Sequence, residues 1–122
     1  MLFRSDPEFD ILPETVQDAL LGAALLLQAT GPMLGRPHVD TLSGSKHANM
    51  KELRFNADDG VWRVAFAFDL KREAIILIAG DKSGVAQDRF YKSLIAKADK
   101  RFDTHLEGLN LATAATSKSV KG

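Results

Sequence analysis

The chain of 122 residues has no cysteine, so neither a disulfide framework nor a thiolate metal site is open to it. It has no net charge either: 16 Lys/Arg stand against 16 Asp/Glu, and no overall field draws it to nucleic acid. Long apolar runs are also missing. The longest, ALLGAALLLQA from Ala19 to Ala29, is too short to cross a bilayer. Asp6, Glu8, Asp10, Glu14 and Asp18 precede it where a secretory signal would carry basic residues. It reads as a buried helix, and the expected location is the cytoplasm.

Several motifs are absent as well. AGDKSG is bracketed by glycines after a strand, but GxxxxGK[ST] does not occur, which removes a nucleotide-binding P-loop. There is no GxSxG elbow and no thiol nucleophile. His38, His47 and His105 lie on separate elements without ligand spacing, so no metal and no cofactor is expected.

What is present is an ordinary globular composition, 45% hydrophobic and 26% charged, in a length suited to one domain. Charge is unevenly spread. Residues 1–30 hold one Arg against five acids, residues 31–105 hold 13 Lys/Arg against 10 acids, and residues 106–122 hold two Lys against Glu107. An electrostatic footprint would therefore come from local clustering.

LFRSDPEF (2–9) reads as a short edge strand broken by Pro7, or as a loose entry. From about Pro13 a helical period places Val16, Leu20, Ala23, Ala24 and Leu27 on one face. Leu21, Leu25 and Leu26 widen that arc, as for a helix gripped by a sheet, and Thr30-Gly31-Pro32 stops it. GRPHVDTLSGSKHAN (35–49) reads as a long loop or a loop with one helical turn. Three strands follow: KELRF (51–55), VWRVAFAFD (61–69) and the almost wholly apolar EAIILIAG (73–80). A helix from about Ala86 to Leu106 buries Phe90, Leu94, Ile95, Ala98, Phe102 and Leu106. The expected fold is α+β: an antiparallel sheet of three to four strands packed by an N-terminal helix and a long C-terminal helix. Residues 1–107 form the single domain and 108–122 a flexible tail.

Strand alternation sharpens the picture. In KELRF, Leu53 and Phe55 share one face, so Glu52 and Arg54 share the other. In GVWRVAFAFD, Trp62, Val64, Phe66 and Phe68 face the core, leaving Arg63, Ala65, Ala67 and Asp69 on the opposite side. Arg54 and Arg63 are thus expected close together on an open face. Two readings stand: solvated arginines paired with Glu52 and Asp69, or a site for an anionic ligand between them. Lys46 and His47 in the loop before, Lys82 in the loop after, and Tyr91 one turn into the last helix are expected at the rim. Guanidiniums clamp phosphate oxygens in a forked geometry, and tyrosine stacks on bases.

The order and spacing of GRPHVDTLSGSKHANMKELRF, GVWRVAFAFD, AIILIAGDKSG and RFYKSLIAKADKRFDTHL resemble the RelE/ParE toxin superfamily, closest to its phage-derived, HigB-like branch. The resemblance covers about Leu12 to Leu106. It implies helices on one side of an antiparallel sheet and a metal-independent, ribosome-dependent endoribonuclease that cuts mRNA and inhibits translation. It also implies a toxin of a type II toxin–antitoxin system, neutralised by a helix-turn-helix antitoxin. The resemblance implies catalytic roles for Arg63, Lys82, Tyr91 and His47, and RNA binding by Lys46, Lys51 and Arg54. The chain departs from the pattern in its short, Pro-containing N-terminal strand and its neutrality. Two alternatives remain: a ParE-like inhibitor of DNA gyrase without nuclease activity, or an inactive binding remnant.

Overall fold

Alternation along the central strands demands two cores, because both faces of GVWRVAFAF carry apolar residues and both need cover. A computed structural model, which describes residues 2–3, 10–33, 35, 38–69, 71 and 73–121, supplies both covers. Its elements run β1 (Leu2–Phe3), α1 (Glu14–Thr30), a 3₁₀ turn (Gly31–Met33), β2 (Val39–Thr41), β3 (Lys51–Ala57), β4 (Gly60–Phe68), β5 (Ala74–Asp81) and α2 (Gln87–Lys121). The sheet order is β1-β5-β4-β3-β2. Strands β2 to β5 are antiparallel, and the two-residue β1 pairs parallel with β5 at Ile75 and Ile76. This is the expected α+β class, with one strand that the sequence reading lacked: Val39–Thr41, placed there in a loop, pairs with Leu53, Glu52 and Lys51.

The helices lie on opposite faces, which corrects the one-sided packing that the resemblance implied. Leu20 and Leu27 of α1 join Leu53, Val64, Phe66, Ala74 and Ile76 in one cluster. Phe90, Leu94, Ala98 and Phe102 of α2 join Ala65, Ala67, Ile75 and Leu77 in the other. Ala65 and Ala67 are 0% exposed, so they form no open floor. Their small side chains let α2 approach the sheet closely, and burial of its aromatic stripe drives that approach. Between Ala65 and Phe66 the ladder jumps from Ile78 to Ile76, a bulge that skips Leu77. The Leu77 carbonyl accepts a hydrogen bond from Arg101 Nη1 at 2.7 Å, which fastens the bulge to α2.

Two further differences have local causes. Helix α2, expected to stop at Leu106, continues to Lys121. Gly108 costs a helix interior about 1 kcal/mol, and the helix formers Leu109, Leu111, Ala112, Ala114 and Ala115 outweigh it. On α1, Leu21, Leu25 and Leu26 are exposed and not gripped by the sheet, because the sheet takes only the narrow stripe Val16, Leu20, Ala24 and Leu27.

Candidate functional site

The site begins with a turn. Asp58 and Asp59 adopt φ of 51° and 60°, the paired left-handed geometry of a two-residue hairpin that matches strand twist. That turn pairs Ala57 with Gly60 and thereby fixes every position behind it, including Arg54 opposite Arg63. Gly60 is required where it stands: a Cβ there would meet Trp62 Nε1 at 2.7 Å and Asp81 Oδ2 at 2.9 Å.

Directly opposed like charges repel, and the structure resolves this with carboxylates. Arg54 Nε donates to Glu52 Oε1 at 2.7 Å, and its Nη2 lies 2.6 Å from the same oxygen and 3.1 Å from Asp40 Oδ2. The hydrogen bond to Glu52, with the Asp40 charge added, holds the Arg54 guanidinium even more firmly protonated than usual. Arg63 turns aside, and its Nη1 donates to the Trp62 carbonyl at 2.9 Å. Glu52 is only 2% exposed. Its Oε2 and the Nε of Arg63 are buried without a hydrogen-bond partner among the described residues.

Tyr91 of α2 stands over this pair. Burial pushes its hydroxyl above the usual tyrosine range, the Glu52 carboxylate pushes it further, and Arg63 offsets part of the rise. Its ring is edge-on to Phe90, and Lys82 Nζ lies 6.0 Å from its centroid, at the outer reach of a cation–π contact. Lys82 is held there by its turn. Asp81 Oδ1 accepts from the backbone N–H of Val61 at 3.0 Å and of Ser83 at 2.9 Å, and from the Ser83 hydroxyl. The Ser83 hydroxyl first, and these two N–H groups after it, hold the Asp81 carboxyl below its ordinary value. The Lys82 N–H in turn donates to the Val61 carbonyl at 2.9 Å.

The result is a chain of charge: Asp40, Arg54, Glu52, then Tyr91 with Arg63 and Lys82. It opens into a cleft of about 410 Å³ lined by Thr41, Leu42, Ser43, Glu52, Arg54, Gln87, Asp88 and Tyr91. Chemically the cluster offers cations for an anion and a protonated phenol, over a buried carboxylate.

Four of the residues expected at the site therefore converge: Arg54, Arg63, Lys82 and Tyr91. Three do not. Lys51 shares its strand face with Leu53 and Phe55, so the sheet separates it from Arg54. Lys46 pairs with Asp103, and His47 Nε2 lies 2.9 Å from the same carboxylate while its ring meets Phe102 edge-on. Asp103 is twelve residues past Tyr91 on α2, about 18 Å along the axis. The Ser45 hydroxyl and the Lys46 N–H both donate to Asp99, so the whole 45–47 loop is tied down there. Asp69, expected as an arginine partner, instead meets His105 in the interior at 3.0 Å. Sequence reasoning treated Glu52 as a counter-ion, which it is to Arg54, but did not foresee its burial beside Tyr91. Its parity with Arg54 was the available signal. Among the described residues, no group of His, Cys, Asp or Glu could hold a metal ion, and no helix is long and apolar enough to cross a membrane.

Comparison with known proteins identifies the family of the chain. Over residues 7–103 the chain matches the family described as phage derived protein Gp49-like (DUF891). It is 43% identical over 98 residues to "Putative toxin HigB3" of Mycobacterium tuberculosis, covering 80% of this chain and 83% of that protein. It is 38% identical over 112 residues to "Putative toxin HigB2" of the same organism, covering 91% of this chain but 55% of that protein. The chain thus spans about half the length of HigB2 and most of HigB3. No solved structure matches it significantly. The match to the family spans most of the chain, from before α1 into the middle of α2, and the chain belongs to the Gp49-like, HigB-like family.

Proposed function

We propose that this protein is the toxin of a toxin–antitoxin pair and that it cleaves ribosome-bound mRNA without a metal. The relatives' names support the toxin role. The single observation that carries the chemistry is that Arg54, Glu52 and Tyr91 line one cleft, with Arg63 opposite Arg54 on the same sheet face and Lys82 beside the Tyr91 ring.

In this reading a ribose 2′-OH attacks the adjacent phosphorus, giving a 2′,3′-cyclic phosphate and a free 5′-OH. Arg63 and Lys82 stabilise the charge that builds on the non-bridging oxygens, and Arg54 positions the backbone. Glu52, buried behind Arg54 and Tyr91, holds Arg54 in place, and the 2′-OH proton passes to solvent water. Tyr91, kept protonated by burial and by Glu52, gives a proton to the departing 5′ oxygen. His47, anchored to Asp103 far along α2, has a tethering role here.

One observation favours a second reading, a gyrase-binding toxin without nuclease activity: Arg54 is already neutralised by Glu52 and Asp40. Controlled expression with pulse labelling separates the two. The nuclease stops protein synthesis first and yields defined mRNA ends by primer extension, and Arg63→Ala abolishes both effects. Early arrest of DNA synthesis, or unchanged arrest by Arg63→Ala, overturns the nuclease reading.

A further inference from the structure

Among the described residues, five of the six exposed large hydrophobics fall between residues 11 and 33: Ile11, Leu21, Leu25, Leu26 and Met33. Leu25 is 64% exposed and Met33 87%. Leu21, Leu25 and Leu26 project from one side of α1, away from the stripe that grips the sheet. Contiguous exposed apolar surface of this kind marks an interaction site.

Gly22 gives a second, independent indication. It lies inside α1, where glycine is among the least favourable residues, and a Cβ added there would meet nothing within 4 Å. Nothing in the described chain therefore needs Gly22 to be small. Leu25 and Leu26, three and four positions on, flank it, so its missing side chain leaves a notch between two leucine ridges. That shape accepts a ridge from a second helix.

Charge selects the occupant. Asp10, Glu14 and Asp18 rim the apolar patch, and no Lys or Arg occurs between residues 10 and 35. A second copy of this chain would set acid against acid. A partner helix with an apolar stripe and a basic rim would pair its cations with these carboxylates.

We infer that the outer face of α1, centred on Gly22 and Leu25, docks a cationic amphipathic helix of a partner protein. The identification of that partner as the antitoxin rests on the proposed toxin role; the docking surface does not. The face lies on the far side of the sheet from Arg63 and Tyr91, so the bound partner leaves the cleft open. It acts by bulk, keeping the protein off its large target.

The test uses the full chain and a fluorescent 18-residue helical peptide, with Leu at every third or fourth position and Lys elsewhere, beside its Glu-for-Lys twin. Anisotropy is expected to show salt-sensitive binding of the Lys peptide and binding weaker by about tenfold or more for the Glu peptide. Leu25→Ser and Gly22→Leu each weaken the Lys peptide by about tenfold, while circular dichroism stays unchanged. Equal binding of both peptides, binding unaffected by both variants, or a dimer in light scattering overturns the inference. Co-expression with the product of the adjacent reading frame tests the antitoxin assignment. Wild type is rescued and Leu25→Ser is not. Rescue of both defeats that assignment, whereas wild type that never arrests growth defeats the toxin role instead.

Discussion

Arg54 and Arg63 occupy directly opposed positions on β3 and β4, and Glu52 on the same sheet face keeps the two cations compatible. Their register follows from a two-residue turn at Asp58-Asp59, so a local backbone choice sets the electrostatics of the site.

Removing the mediator should expose the conflict. Glu52→Ala is expected to cost about 1–3 kcal/mol of stability, since it strips Arg54 of its main partner. Pairing it with Arg54→Met should recover part of that loss, as urea melts of the two single variants and the double variant would show. Strict additivity of the two substitutions would contradict the pairing.

Acid stability should depend on Asp69. Its carboxyl, in the turn between β4 and β5, and His105 of α2 are both 1% exposed and 3.0 Å apart. Burial alone would raise the Asp69 pKa, but His105 and the backbone N–H groups of Glu73 and Lys71 more than offset that and hold it below its ordinary value. A depressed carboxylate stabilises the fold above its unfolded pKa of about 3.9, and that stabilisation is lost as pH falls through the folded value. Asp69→Asn is therefore expected to be less stable than wild type at pH 7, with the gap narrowing below about pH 4. An equal gap at pH 7 and pH 3 would remove Asp69 from the acid transition.

Tyr91→Phe tests the acid role directly. It should lower the cleavage rate by about 10²–10⁴. A substrate carrying sulfur at the leaving 5′ position, which departs without protonation, should be cut almost as fast by the variant as by wild type. A defect of the same size on both substrates would make Tyr91 a stacking group only.

Two glycines should respond in opposite ways. Gly22→Ala, in open space on α1, should raise stability by about 0.5–1 kcal/mol. Gly60→Ala should lower it by about 1–3 kcal/mol, because the new methyl collides with the Trp62 ring and with an Asp81 carboxylate fixed by its hydrogen bonds. Thermal melts of both proteins suffice, and a Gly60→Ala variant as stable as wild type would mean that the turn shifts freely.

Much of this was legible in the chain. Alternation in KELRF and GVWRVAFAF placed Arg54 and Arg63 on one face and the aromatics on the other, because side chains repeat every second residue along a strand. The same rule sets Lys51 with Leu53, away from Arg54, a step not taken when the two were grouped as RNA-binding residues. The missed strand Val39–Thr41 is only three residues long, too short to show a period, and it exists through its pairing with β3.

Local sequence determined the α+β class, the facing of Arg54 and Arg63 on their strands, the apolar stripe of α2 and the absence of cysteine chemistry, since each follows from near neighbours along the chain. Only the tertiary structure decided that α2 covers Ala65 and Ala67, that His47 is tied to Asp103 and not to the arginines, and that Asp69 meets His105. It also decided that Leu25 stays exposed while Leu27 is buried. The reason is physical: an apolar residue records that it prefers cover but not which surface supplies it, and a charged residue records its sign but not its partner. Those choices are made between segments far apart in sequence, when two helices settle on opposite faces of one sheet.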